Sequence, residues 1–326
     1  MTMRSWWIQS LEQSTRVEAR DVPLPQPAAG QLLVRLHAAA LNRGEFIAAQ
    51  GLHKPGAPKP AGMEGAGEVT ALGPGVTGFQ VGDRVMGRCP GAFAQYGLID
   101  AREAIPVPQK LSWKEAASIP LAFLVVYDML IAQGCLQRGE WLLVTGISSG
   151  VGVAALQTAK VLGANVIGTS GSVEKLERLK PLGLDVAVRT RGADFADAVM
   201  QATGGRGANL AVNTVGGTVF PECIRSLAFQ GRLAIVGYVD GSLDSQIDLD
   251  AVHAKRLSIF GVSNKLRTAE QRAATVRGFV DDVLPAFAEG RIRPLVDQVF
   301  PLEELPQAKA RMEANLHAGK IVLRIG

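Results

Sequence analysis

The rhythm of hydrophobic and polar positions changes near Leu121. Before it, short apolar segments such as "QLLVRLHAAAL", "GAGEVTAL", "GDRVMG" and "FAQYGLI" are separated by Gly and Pro turns. Apolar runs of this length between turn residues predict strands, and together they predict a compact, barrel-like β-rich domain up to about residue 110. After Leu121 the pattern alternates. A helix is predicted in "FLVVYDMLIAQG", a strand in "EWLLVTG", a helix in "VGVAALQTAKVLG", a strand in "NVIGTSG" and a helix from "SVEKLERLKPLG". Such alternation predicts a parallel sheet. "LAVNTVG", "GRLAIVGY" and "RLSIFGVS" are mostly apolar, as strands covered by helices on both faces must be. The fold class is therefore α/β, a doubly wound parallel sheet beside a β-rich domain. Beyond Asn264 a helical stretch, "TAEQRAATVRGFVDDVLPAFAEG", leads to "LVDQVFPLEEL", a helix through "AKARMEANL" and a closing strand "GKIVLRIG". This last part is free to return to the first domain.

A length of 326 residues agrees with two domains. The chain is 47% hydrophobic and 20% charged, enough apolar material for a sizeable core. It contains no uninterrupted apolar run long enough to span a bilayer, and "MTMRSWWIQSLEQ" lacks the apolar centre of a signal peptide. A cytoplasmic protein without a membrane partner is expected. The net charge of +4 comes from 34 basic and 30 acidic residues scattered along the chain. No basic cluster or aromatic-basic motif points to nucleic acid. Cys89, Cys135 and Cys223 are far apart and form no C-x-x-C pair, which argues against a disulfide framework or a four-cysteine zinc lobe.

In "LLVTGISSGVGVAALQTAK", Gly150, Gly152 and Ala155 form G-x-G-x-x-A between a predicted strand and a predicted helix. This is the setting of a dinucleotide fingerprint. Small residues let the backbone approach a pyrophosphate, whose charge is favoured at a helix N-terminus. Ser149, Gly150, Val151 and Gly152 are expected beneath the phosphates; the other reading is a tight strand-to-helix turn without a ligand. An NAD site usually carries an acidic residue about 20 residues further on. Here the chain reads "GTSGSVEK". Ser170, Gly171 and Ser172 offer hydroxyl and backbone donors, and Lys175 offers a charge for a ribose phosphate, so NADPH is favoured over NADH. Lys175 equally suits a solvated helix face, because "EKLERLK" mixes charges as surface helices do.

The strand-turn-helix resembles that of the medium-chain dehydrogenase/reductase superfamily, and more narrowly its zinc-independent quinone oxidoreductase branch. The resemblance covers nearly the whole chain through "ALNRGEF", "GMEGAGEVTALGPGV", "VGDRVMG", "GAFAQYGLI", "EAASIPLAFLVVYDML", "TGISSGVGVAALQTAK", "VNTVGG", "GRLAIVGY" and "HAGKIVLRIG", in the family's order. It implies a GroES-like substrate domain from residues 1–121 and 265–326 and a Rossmann NADP-binding domain from residues 122–264. Zinc alcohol dehydrogenases similar to this chain place a cysteine where it has Asn42, a histidine where it has Met63 and usually a third cysteine near Leu121. None of these three is a zinc ligand of the usual kind, and Glu64 alone does not replace the set. His37 and His53 are isolated histidines. No metal is expected.

Without a metal, the chemistry that fits best is hydride delivery from reduced nicotinamide to a quinone or an α,β-unsaturated carbonyl, a small-molecule acceptor that carries much of its own activation. The resemblance puts Asn42 near nicotinamide and substrate, orienting the reacting carbonyl; the alternative is an asparagine satisfying a loop backbone. His53 aligns with a tyrosine of related enoyl and quinone reductases, which makes it either a donor to the substrate oxygen or an exposed loop histidine. Relatives often carry threonine at Val125, tyrosine at Thr190 and Ile47, and aspartate at Asn213. Arg191, beside Thr190, is a substitute phosphate contact. Val215, Gly216 and Gly237 end successive predicted strands, the edge where doubly wound sheets bind ligands. The resemblance adds Tyr238, Phe260, Val262 and Asn264 as neighbours of nicotinamide or substrate, with core packing the alternative for the apolar ones. It also implies a homodimer through the edge strand "RLSIFGVS". Two other functions stay open: an enoyl reductase acting on acyl thioesters, and an NADPH-binding sensor or structural protein with little turnover.

Overall fold

The chain opens with a hairpin. Strand β1 (Thr2–Ser10) pairs antiparallel with β2 (Thr15–Pro23), and its alternating side chains bury Met3, Trp6 and Ile8. The computed structural model describes residues 1–12, 14–46 and 56–326. It divides into two compact units, Met1–Leu124 with Ala269–Gly326, and Val125–Thr268.

In the first unit, β3 (Gln31–Ala40), β4 (Lys59–Pro60), β5 (Glu64–Leu72), β6 (Arg84–Arg88), β7 (Tyr96–Asp100) and β8 (Ala104–Pro106) follow the hairpin. β4 adds to β1, while β3 pairs antiparallel with both β5 and β7. Leu32, Val34 and Leu36 project from β3 into one core with Val85, Phe93 and Ile99. Sheet alternation of this kind is the origin of the short apolar runs seen in the sequence.

The second unit holds β9 (Trp141–Val144), β10 (Asn165–Ser170), β11 (Val186–Arg189), β12 (Ala208–Asn213), β13 (Leu227–Ile235) and β14 (Ser258–Gly261). All pair in parallel, in the order β11-β10-β9-β12-β13-β14. This is the expected doubly wound sheet. Its central strands are fully buried at Leu142, Leu143, Val144, Ile167, Leu210 and Val212, whereas β11 and β14 at the edges are half open. The register sets Val144 level with Gly168 and with Val212, and Asn213 level with Ile235, so the residues that follow gather along one carboxyl edge.

The chain then returns to the first unit as β15 (Val296–Pro301) and β16 (Lys320–Arg324). β16 lies between β15 and β3, antiparallel to β3. Three details differ from the sequence pattern. The stretch "TAEQRAATVRGFVDDVLPAFAEG" forms two helices, Ala269–Asp282 and Leu284–Glu289. Pro285 sits at the start of the second, where its missing N–H costs nothing but stops continuation of the first. Strand β11 and the helix Ala196–Ala202 also form, although their short, charge-interrupted sequences gave no sign of either. Among the described residues, no helix is long and apolar enough to cross a membrane.

Candidate active site

In the second unit, the helix Gly150–Leu162 begins where β9 ends. Ser149 is its N-cap, and Ser149 Oγ accepts from the Gly152 N–H at 3.0 Å. This bond fills one of the amides left open at a helix start, while the first amides of the helix still point along its axis. Gly152 is required by space. A Cβ there would lie 2.5 Å from the carbonyl oxygen of Ile147 and 2.6 Å from its Cα, both fixed backbone atoms. Behind the turn, buried Ala154, Ala155 and Ala159 let the helix lie close to the sheet. Amides left open at a helix start are the groups that favour an anion.

At the end of β10, Ser170 Oγ accepts from the Ser172 amide at 3.3 Å, and Ser172 Oγ accepts from the Lys175 amide at 3.2 Å, capping the helix Val173–Leu179. Each hydroxyl accepts, so its proton remains available for donation. Arg191 packs across the same corner, with its Cγ 2.8 Å from where a Cβ of Gly171 would stand. Ser170, Gly171, Ser172 and Arg191 are thus brought together. Thr190 supports them: its amide donates to the Ser170 carbonyl at 3.1 Å, and its hydroxyl is bonded to Asp194.

Further along the carboxyl edge, Thr214 Oγ1 donates to the Thr145 carbonyl at 2.7 Å, tying the ends of β9 and β12. Val215, Gly216 and Gly237 lie at this edge, and Val262 follows β14, its amide bonded to the Ile235 carbonyl at 3.0 Å. Tyr238 accepts from the Gly241 amide in the loop after Gly237. Phe260 is level with Ala234 on β14, two strands out from β12 and apart from the phosphate turn.

The first unit carries a separate polar cluster. Lys320 Nζ donates to Glu64 Oε1 at 2.7 Å, to Asn42 Oδ1 at 2.8 Å and to the Leu41 carbonyl at 3.0 Å, which uses all three ammonium protons. Asn42 Nδ2 donates to Glu45 Oε1 and to Glu64 Oε1, both at 3.0 Å. Glu64 Oε2 accepts from the backbone amide of Leu121 at 2.7 Å, at the start of the helix Pro120–Val126. Glu64 is wholly buried and Lys320 nearly so. Asn42 and the Leu121 amide therefore meet one buried carboxylate paired with Lys320, and Met63 precedes it in the chain.

Glu45 belongs to the same cluster through Asn42. Burial pushes its carboxyl up to about 7; the Asn42 amide opposes the rise, the Glu64 carboxylate adds to it and the Lys320 ammonium holds it back. A raised carboxyl contributes stability that is complete below its unfolded value and is lost as pH rises through about 7. Glu45→Gln is therefore expected to melt with the wild type at pH 4.5 and progressively above it towards pH 8, with the gap opening through about 7. Parallel melting curves over that range would remove Glu45 as the titrating group.

His53 and Ile47 lie outside the described residues. Lys320 and Glu45 carried no signal of function in the sequence reading. The trace they leave is a charge heading an apolar strand, in "GKIVLRIG", and a charge close behind the apolar end of another, in "ALNRGEF".

Residues 28–109 match the alcohol dehydrogenase GroES-like domain, and residues 150–276 match the zinc-binding dehydrogenase family. Quinone oxidoreductase-like protein 2 of Bos taurus is 30% identical over 300 residues, covering 90% of this chain and 85% of that protein. Acryloyl-coenzyme A reductase of Metallosphaera sedula is 30% identical over 335 residues, covering 94% of this chain and 96% of that one. A phenolphthiocerol/phthiocerol polyketide synthase subunit of Mycobacterium tuberculosis is 32% identical over 97% of this chain, which spans 14% of that subunit's length. A mycobacterial protein solved in complex with NADPH superposes with a TM-score of 0.87 at 29% identity, over 99% of this chain and 100% of that one. The chain belongs to the medium-chain dehydrogenase/reductase superfamily, in its quinone oxidoreductase branch.

Proposed function

We propose that the protein is an NADPH-dependent, zinc-free reductase of quinones or activated alkenes. The observation that carries this reading is Glu64, whose two oxygens are taken up by Lys320, Asn42 and the Leu121 amide where a metal centre would stand. Asparagine, methionine and leucine do not fit zinc. Among the described residues, no group of three His, Cys, Asp or Glu side chains is placed to hold a metal.

Reduced nicotinamide, when bound, supplies hydride to the acceptor. The protein's part is binding and alignment. Ser149, Gly150, Val151 and Gly152 cradle the pyrophosphate, and Ser170, Gly171, Ser172, Lys175 and Arg191 receive the ribose phosphate. Val215, Gly237, Tyr238, Phe260 and Val262 are the proposed neighbours of the nicotinamide and the acceptor. Asn42, held by Lys320, Glu45 and Glu64, orients the acceptor carbonyl, and His53 is its proposed proton donor. Two charge-assisted contacts to the ribose phosphate set the cofactor preference, so Arg191→Ala is expected to reduce NADPH-over-NADH selectivity about tenfold. An unchanged ratio of the two kcat/KM values would remove Arg191 from that role.

Steady-state NADPH oxidation, with NADH in parallel, against ortho-quinones, para-quinones, enones and acyl thioesters tests the whole reading. Fast turnover of quinones or enones with NADPH is expected. Saturable NADPH binding with no turnover on any acceptor overturns it in favour of a binding protein. A second reading, reduction of an acyl thioester, is supported by the likeness over almost its full length to acryloyl-coenzyme A reductase; turnover confined to thioesters selects it.

A homodimer through β14 belongs to the same proposal. Among the described residues no further strand pairs beyond β14, and Ile259 on it is exposed. A solution mass of one 34.4 kDa chain would exclude the dimer. The cysteines Cys89, Cys135 and Cys223 are all free, which supports the cytoplasm as its compartment; recovery of the protein from an oxidising compartment would contradict that.

A further inference from the structure

Asn213 ends β12, next to β9, where the strand order reverses, and it is buried to 1% exposure. Its Oδ1 accepts from the amides of Val215 and Gly216, both at 3.0 Å, while its Nδ2 donates to the Gly216 carbonyl at 2.9 Å. One side chain therefore satisfies three backbone groups of a single turn. An asparagine does this because it presents a donor and an acceptor together. The turn so held is one that only glycine adopts: Gly216 has φ 132° and ψ −153°.

The other side of the turn is fixed as well. The Asp240 amide donates to the Val215 carbonyl at 2.9 Å, and the Asp240 carboxylate accepts from the Thr218 and Ser242 amides, both at 2.9 Å. Asp240 Oδ1 stands 2.0 Å from where a Cβ of Gly216 would be. Pinned between Asn213 and Asp240, the turn brings Val215 Cγ2 to 3.6 Å from the Cβ position of Gly146, the residue that leads from β9 towards the phosphate turn. Val215 thereby flanks the crevice at the switch point, where doubly wound sheets take their ligands.

We propose that Asn213 is a positioning residue for the cofactor, its amide fixing the Val215–Gly216 turn against the crevice between β9 and β12. This rests on reading the second unit as an NADPH site. The geometry here is built for an amide, with a donor and an acceptor each in use. In Asn213→Asp, the oxygen replacing Nδ2 would face the Gly216 carbonyl across 2.9 Å with no proton between them. Only the protonated acid restores the donor. The other groups packed on this side chain are neutral, the Thr145 hydroxyl and the turn's backbone, with the Asp240 carboxylate beyond Gly216. Burial and the facing carbonyl favour the protonated acid, against the Val215 and Gly216 amides that favour the charged form at the other oxygen. The native turn in this variant is therefore complete at low pH and lost as pH rises.

The test is NADPH affinity of the whole chain at pH 5.5 and 8.5, each variant compared with wild type at the same pH, together with thermal melting and the acceptor KM. Asn213→Asp is expected to bind NADPH within about twofold of wild type at pH 5.5 and about tenfold more weakly at pH 8.5, with little change in the acceptor KM. A ratio that does not change with pH, or a change confined to the acceptor KM, overturns the proposal. Asn213→Ser, smaller and uncharged, keeps the test open where the aspartate variant does not fold: about tenfold weaker binding at both pH values is expected, and unchanged affinity overturns the proposal. Failure of the wild type itself to bind NADPH would instead overturn the cofactor reading on which the inference stands.

Discussion

Replacing Lys320 with methionine is expected to destabilise the protein by about 3–5 kcal/mol, because it strands a buried carboxylate. Glu64 is wholly buried, and it meets Lys320 Nζ at 2.7 Å. The Leu121 amide and the Asn42 amide remain after the substitution, but neither carries charge. Removing both charges together, Lys320→Met with Glu64→Gln, is expected to recover most of the loss, since the amide carries no buried charge, its oxygen keeps the Leu121 contact, and its Nε2 meets the Asn42 Oδ1 that Lys320 no longer occupies once the Asn42 amide turns over. Melting temperatures of the wild type, the single and the double variant decide the matter. Equal losses in the single and double variants would show that packing of the lysine stem, and not the ion pair, is what the site needs.

Gly152→Val is expected to weaken NADPH binding by at least about tenfold and to cost about 1–3 kcal/mol of stability by overpacking. The nearest obstacles to its Cβ are the O, Cα and C atoms of Ile147, at 2.5 to 2.7 Å, so relief requires the strand-to-helix turn itself to move. That turn sets the direction of the first amides of the helix Gly150–Leu162. Gly261→Ala is the matched control, because a Cβ there meets nothing within 4 Å. Isothermal titration of both variants with NADPH separates the two effects. If the valine variant bound as tightly as wild type, the cradle role of this turn would be lost.

The parallel sheet was legible in the sequence because β9, β10, β12 and β13 are buried on both faces and so read as nearly continuous apolar runs. β11 was not. An edge strand with alternating half-buried and exposed positions over four residues, ending in Arg189, has no periodicity long enough to stand out. The division of "TAEQRAATVRGFVDDVLPAFAEG" into two helices was available in principle from Pro285, a residue that begins helices and interrupts them.

At the site, local signals were readable and distant ones were not. Ser149, Gly150 and Gly152 follow one another between a strand and a helix, so spacing alone singles them out. The cluster around Glu64 joins Asn42, Leu121 and Lys320, residues separated in the chain by as many as 278 positions. Such a constellation exists only after folding. In the sequence, Lys320 is a single charge before "IVL", and Glu64 a single charge between glycine-rich turns. Likewise, the difference between asparagine and aspartate at 213 has no meaning until the Gly216 carbonyl is seen opposite the side-chain nitrogen.

The position of β16 has a consequence for synthesis. Its partner in the sheet, the Ala38–Ala40 end of β3, leaves the ribosome 280 residues before Lys320 does. At ordinary elongation rates that gap amounts to about 14–56 s. Before this interval ends the Val125–Thr268 unit has all of its strands, while the first unit still has a bare sheet edge and a carboxylate with no counter-ion. The nascent chain thus completes its middle before its beginning, and the first unit is the segment exposed to misassociation and to chaperones while it waits.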